Sequence, residues 1–167
     1  MIILGIDPGY AIVGYGVLEY QNNRFRILDF GAITTPAEME FSLRLKSIYG
    51  DMCFLLDKYH PDAMSIEKLF FNTNQKTAID VAEARGVILL AAQQYNAEIF
   101  EYTPLQVKQS VVGYGRAEKK QVQEMTKSIL GLNRVPKPDD TADALALALC
   151  HAHCSGSLFS AIKQLPN

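Results

Sequence analysis

The triplet Asp7-Pro8-Gly9 limits the possible folds more than any other feature of this chain. It closes the apolar, β-branched run Ile2–Asp7, and Pro followed by Gly lets neither a strand nor a helix continue. The chain therefore opens with a short strand that ends on an acid. Ile12–Tyr20 reads as a second strand, and Gln21-Asn22-Asn23 as a polar turn. Arg24–Thr34 opens with the alternation Arg24, Phe25, Arg26, Ile27, so a third strand follows antiparallel. The pattern then changes. Leu45, Ile48, Met52 and Leu55 recur at helical spacing, which predicts a helix from about Phe41 to Tyr59. Ala63–Glu67 is a strand, Phe70–Asn74 a loop, and Asn74 an N-cap candidate for a helix to about Tyr95. Ala97–Tyr102 is the last strand. Helices follow over Pro104–Val112 and Glu118–Leu130, split by Gly113-Tyr114-Gly115. Pro136–Pro138 breaks the chain before a final Ala/Leu-rich helix, Asp139–His153. Three meandering strands followed by alternating strands and helices predict an α/β fold. Its core is a five-stranded mixed sheet flanked by helices on both faces. The expected domain is residues 1–154, with 155–167 a fraying, flexible tail.

At 167 residues the length suits one domain with its own core. A hydrophobic share of 49% and a charged share of 20% are those of a soluble globular protein. No apolar run approaches the roughly 18 residues of a membrane span, and the N-terminus lacks the basic start of a signal peptide. Cys53, Cys150 and Cys154 are odd in number and unpaired in spacing, which points to a reducing cytoplasm. The net charge is −2, unevenly distributed. Lys108, Arg116, Lys119, Lys120, Lys127, Arg134 and Lys137 fall between Pro104 and Lys137, opposed only by Glu118 and Glu124. Such a segment can face a polyanion or can be a solvated helix face, and charge alone favours the latter.

Four acids sit at element ends. Asp7 ends the first strand and Glu67 the fourth, so both can meet at one sheet edge if those strands run parallel. Asp140 and Asp143, three residues apart, share one face of the last helix. Singly, each has a plainer role: a turn former before Pro-Gly, a strand-end surface acid, or an answer to the helix dipole, as for Asp139. Together they form an oxygen-only set that hard divalent cations would neutralise. Cys150-His151-Ala152-His153-Cys154 offers metal-ligating residue types, but one helix turn cannot aim all four at one ion. A buried cysteine and two histidines near the helix end are expected there. Phe70-Phe71 puts aromatics in a polar loop beside Glu67, where a ring can stack on an unpaired base; Phe71 is the better core candidate.

From Met1 to about His153 the chain resembles the bacterial RuvC family of Holliday-junction resolvases. The resemblance rests on Ile3-Leu-Gly-Ile-Asp-Pro-Gly9, Ile66-Glu-Lys-Leu-Phe70 with Asn74, and Ala84-Arg-Gly86. It extends to Gln106-Val-Lys-Gln109, Val111-Val-Gly113, Ala117-Glu-Lys119 and Asp140-Thr-Ala-Asp-Ala-Leu-Ala146. It implies an RNase H-like fold and a homodimer on four-way junction DNA, partnered by the RuvA–RuvB branch-migration complex. Paired nicks would leave 5′-phosphate and 3′-hydroxyl ends. The implied metal-binding and catalytic acids are Asp7, Glu67, Asp140 and Asp143, with Mg²⁺, two ions per subunit, as cofactor and Mn²⁺ as a substitute. Some relatives carry His at the position of Asp140. Lys108 and Lys119 match family lysines near the scissile phosphate, and Phe70 the aromatic at the junction centre. The DNA-binding set also includes Asn74, Arg116 and Lys120, although the resemblance itself assigns Lys68 and Lys120 no role. An RNA-processing nuclease of the same fold, an inactive junction binder and a fragment of a phosphate-binding ATPase are the alternatives.

Phe70→Ala separates stacking from packing. If the ring stacks on DNA, the melting temperature stays put and junction cleavage falls, less so on a substrate already unpaired at the cut site. If the ring is core, thermal denaturation shows a loss of about 3–5 kcal/mol and every activity drops alike.

Overall fold

The computed structural model describes residues 1–69 and 75–162; for 75–76 and 156–162 it describes the backbone alone. The expected loop Phe70–Asn74, with its stacking and N-cap roles, lies outside the described residues. Strands are β1 (Ile2–Asp7), β2 (Ile12–Gln21), β3 (Arg24–Thr34), β4 (Ala63–Glu67) and β5 (Glu98–Tyr102). Helices are α1 (Phe41–Tyr59), α2 (Gln75–Gln94), α3 (Pro104–Val112), α4 (Lys119–Ile129) and α5 (Asp139–Ile162). The five-stranded mixed sheet runs β3-β2-β1-β4-β5. β1 and β2, and β2 and β3, pair antiparallel, whereas β4 pairs parallel with both β1 and β5.

Local chemistry explains this order. Gln21 pairs with Arg24, so Asn22 and Asn23 alone make the β2–β3 turn, with φ of 52° and 57°. Two left-handed residues are what a tight hairpin requires, and Asn tolerates that region best after Gly. Strand alternation then divides the core. Leu4, Ile6, Met64 and Ile66 point to one face and pack on Ile48, Met52 and Leu56 of α1 and Ile88 of α2. Ile3 and Leu18 point to the other, against Leu145 and Leu149 of α5, with Val111 of α3 and Val122 of α4 closing the edge.

α5 is pressed unusually close to the sheet. A Cβ on Gly5 would fall 2.0 Å from the Ala144 carbonyl oxygen, and one on Gly14 2.0 Å from that of Asp140. Two hydrogen bonds fasten the helix on either side: Ser65 Oγ of β4 donates to Leu147 O (2.7 Å), and Thr141 Oγ1 donates to Gly31 O of β3 (3.0 Å). The helix also outruns its expected end at His153. Its backbone stays helical to Ile162, where a frayed tail was expected from Ser155. No proline occurs between Pro138 and Pro166, and an isolated glycine such as Gly156 weakens a helix without ending it.

Gly5→Ala should therefore destabilise the protein by about 1–3 kcal/mol or more, because backbone has to yield. Gly50→Ala, in mid-α1 where a Cβ meets nothing, should stabilise it by roughly 0.5–1 kcal/mol. Urea denaturation of both variants checks the contrast.

Candidate active site

The period-two alternation that puts Gly5 under α5 also puts Asp7 on that face, at the end of β1. On β4, Ser65 reaches α5 and Glu67 follows on the same side. Because β1 and β4 are parallel, with Gly5 beside Ser65 and Ile6 beside Ile66, both acids emerge at one sheet edge. The N-terminal turn of α5 supplies the rest. Asp140, Ala144 and Ala148 form one i, i+4 row, lying over Gly14 and Gly5. Asp143 and Leu147 form the adjacent row, on the β4 side. Asp7, Glu67 and Asp143 thus line a single cleft of about 310 Å³ with Lys108 and Lys119. Asp140 does not line it, although its charge reaches Asp7.

Crowding sets the protonation of these groups. Burial first, then the charges of Glu67, Asp143 and Asp140, push the Asp7 carboxyl up to about 8, against the opposing charge of Lys119. Burial also raises Glu67, although Asp7 counters by donating a hydrogen bond to it. Burial and mutual repulsion thus favour a proton within the Asp7–Glu67 pair. Asp143 is raised by burial despite the Lys119 ammonium at 2.6 Å. Burial opposes charge on Lys119, yet Asp143, Asp139 and Asp7 hold it above its ordinary range.

Two capping boxes place the lysines. Thr103 Oγ1 accepts from Gln106 N (3.1 Å) while Thr103 N donates to Gln106 Oε1 (2.8 Å), which starts α3 one turn before Lys108. Glu118 and Gln121 make the equivalent box on α4 and put Lys119 in its first position. Arg116 and Lys120 are exposed and do not line the cleft. Arg85 of α2 also bears on the site: its Nε donates to the Glu67 carbonyl (3.3 Å) and its Nη2 pairs with Glu101 (3.1 Å). The sequence reading gave Arg85, Gln106 and Gln121 no role, although Thr103-x-x-Gln106 is a legible capping signature.

The donor chemistry suits a hard divalent cation. All donors are carboxylate oxygens, and a cation would return Asp7 to its charged form. Among the described residues no three of these acids already stand as a complete ligand set. Asp143 is held instead by Lys119.

Comparison with known proteins decides the family. The family model for RuvC, crossover junction endodeoxyribonuclease, matches residues 3–151. The chain belongs to the RuvC family. A relative named crossover junction endodeoxyribonuclease RuvC, from Alkaliphilus oremlandii, is 63% identical over 153 residues, covering 92% of this chain and 93% of its own length. The solved structure of Thermus thermophilus RuvC superposes with a TM-score of 0.86 at 34% identity, covering 94% of this chain and 96% of that one. T. thermophilus RuvC in complex with Holliday junction substrate gives 0.86 at 32% identity, with the same coverage. The α/β, RNase H-like fold expected from the sequence is thus the fold observed, and the RuvC family is one of metal-dependent nucleases.

One expectation for this RuvC family member needs correction. His151 and His153 are not near a helix end, because α5 runs on to Ile162. His151 is buried, its Nδ1 2.8 Å from the Tyr102 hydroxyl and its ring against Phe100; burial lowers its pKa and keeps it neutral. His153 Nδ1 lies 3.2 Å from Ser110 Oγ. Cys150 is fully buried, and its thiol is pushed up to about 12, chiefly by that burial.

The Asp7 shift has a stability consequence in chelator. The folded chain keeps a proton that the unfolded chain releases near 3.8, so stability should fall as pH rises from there to about 8 and then level off. The Asp7 proton contributes at most about 1.4 kcal/mol per pH unit to that slope, and the raised Glu67 and Asp143 add to it. Denaturation of wild type and Asp7→Asn across pH checks this, since the variant should lose the Asp7 share of the slope.

Proposed function

We propose that the chain resolves four-way DNA junctions by paired, metal-dependent nicks that leave 5′-phosphate and 3′-hydroxyl ends, in recombination and repair. The observation that carries this reading is the cleft itself, where three partly buried acids and two lysines converge on a RuvC-family fold. Asp7, Glu67 and Asp143 would hold divalent cations, with Asp140 adjoining. The proposed ion is Mg²⁺, two per subunit, with Mn²⁺ as a substitute. When bound, such ions activate the attacking water and stabilise the leaving oxygen.

The chain's own residues do the rest. Lys108 carries no acid partner among the described residues and faces the cleft, so it is available to a phosphate oxygen. Lys119 is a counter-charge for Asp143 before substrate arrives. An entering phosphate would compete for its ammonium and release Asp143 as a ligand. Both lysines then offset the negative charge that builds on phosphorus. Apolar Val107, Val122 and Leu147 wall the cleft and thin the water around these charges, which strengthens each contact.

A junction offers two equivalent scissile phosphates and one chain supplies one acidic cluster, so a two-fold dimer is the working form. Exposed Leu43 and Phe54 on α1, and Ile79 and Leu90 on α2, are each spaced by eleven residues and so fall on one face of their helix. Such pairing could cover these faces. The nuclease unit is residues 1–154, working in the cytoplasm with the RuvA–RuvB complex as partner. No helix among the described residues is long and apolar enough to cross a membrane.

Mapping cuts on a synthetic four-way junction, with Mg²⁺ and with chelator, tests the function. Symmetric nicks only with the metal are expected; metal-independent cutting, or equal cutting of RNA, would refute it. Asp7→Asn should lower cleavage by at least about 100-fold while junction binding holds or tightens, since repulsion of phosphate is relieved. Asp140→Asn should behave alike. Parallel gel-shift and cleavage assays separate the two effects.

A further inference from the structure

The sheet face that carries α5 has a second cleft, on the opposite flank of the helix from the acids. Gly5 pairs with Gly16 and Gly16 with Phe30, so Phe30 is level with Gly5 and two strands away. Directly paired residues point to the same side, which places the Phe30 ring on the α5 face. Strand spacing and rise put the Phe30 Cα about 12 Å from that of Asp7. The connection from α4 to α5 forms the facing wall. Leu132, Arg134, Pro136 and Lys137 line a cleft of about 420 Å³ with Phe30.

Three features distinguish this cleft from ordinary surface. Phe30 remains 37% exposed, although Ile3 and Leu18 on the same sheet face are fully buried. Pro136 is buried and supplies an apolar floor. Lys137 is already paired with Asp139, whereas exposed Arg134 makes no ion pair among the described residues. An accessible ring beside an available guanidinium matches one nucleotide: the ring takes the base face and the guanidinium the phosphate.

We propose that this cleft binds one unpaired nucleotide of the strand being cut, a few nucleotides from the scissile phosphate. The inference rests on the junction-cleaving function above and adds a subsite to it. A base still stacked in a duplex has no free face for Phe30, so the subsite favours DNA opened at a junction.

Binding of wild type, Phe30→Ala, Phe30→Trp and Arg134→Gln to a four-way junction, a single-stranded oligonucleotide and a linear duplex tests this. Fluorescence anisotropy across a salt series is the measurement, and thermal melting the folding control. Phe30→Ala should weaken junction and single-strand binding about five- to tenfold and leave duplex binding within about twofold, and Phe30→Trp should restore it. Arg134→Gln should reduce the slope of log affinity against log salt by about 0.7–0.9. Unchanged junction and single-strand binding in Phe30→Ala, or an equal loss on duplex, overturns the proposal. So does a loss in Arg134→Gln alone, which would mean a plain backbone contact. If Phe30→Ala does not fold, Phe30→Trp and Arg134→Gln decide: tryptophan quenching on addition of single strand supports the subsite, and its absence overturns it. Cleavage of the junction by wild type is scored separately, so failure of the nuclease reading is distinguishable from failure of the subsite.

Discussion

The contact between α5 and the glycine-lined face of β1 and β2 determines where every other functional group can stand. Side chains normally hold a helix backbone off the strands beneath it. Gly5 and Gly14 remove that spacer beneath Ala144 and Asp140, and the helix backbone drops onto the strands. Only then do acids on its first turn come level with acids on strand ends. Ser65 and Thr141 fix the helix across the sheet through hydrogen bonds on either side. Rotation of α5 is thereby set, and with it the difference between its two acids. The row of Asp143 turns toward β4 and Glu67, whereas the row of Asp140 rests over β2. That rotation accounts for Asp143 lining the cleft when Asp140 does not.

This placement costs stability. Partly buried carboxylates repel, and the repulsion is relieved by raised affinity of the Asp7–Glu67 pair for a proton and by the pairing of Asp143 with Lys119. Neither device is permanent. On the proposed function, a proton or an ammonium would leave as cations and phosphate enter, and the site would exchange one set of counter-charges for another. The capping boxes at Thr103 and Glu118 hold the backbone that carries both lysines. The lysine stems can then move while their anchor points stay fixed.

Much of this was legible in the sequence. Asp-Pro-Gly, the Asn-Asn turn and the switch from period two to period 3.6 locate the strands and the first four helices to within a few residues. Both strand-end acids follow from parallel pairing of β1 with β4, which alternation of strand and helix predicts. The glycine floor was not legible, because a glycine in a strand gives no sign of what approaches it. The length of α5 was missed because small polar residues after Cys154 read as a tail, when nothing there forbids helix. The burial of His151 follows from that continuation: mid-helix, it meets Tyr102 and Phe100 of β5, which no local pattern reveals.

Fold alone leaves several activities open, since Asp-x-Gly at a first-strand end serves phosphate chemistry of more than one kind. The electrostatics narrow the choice. A protein that merely grips DNA gains nothing from partly buried acids that repel phosphates and raise one another's pKa. Retaining Asp7, Glu67 and Asp143 in one cleft makes sense where cations join the complex with substrate. The lysines argue in the same direction. A cation-binding site alone would be weakened by Lys108 and Lys119 within it, because they compete with the metal for the same carboxylates. Their presence is explained when the cleft also receives an anion whose charge increases during reaction. Acids suited to a metal and lysines suited to a phosphate, on walls fixed by α5, α3 and α4, together fit the proposed phosphodiester hydrolysis.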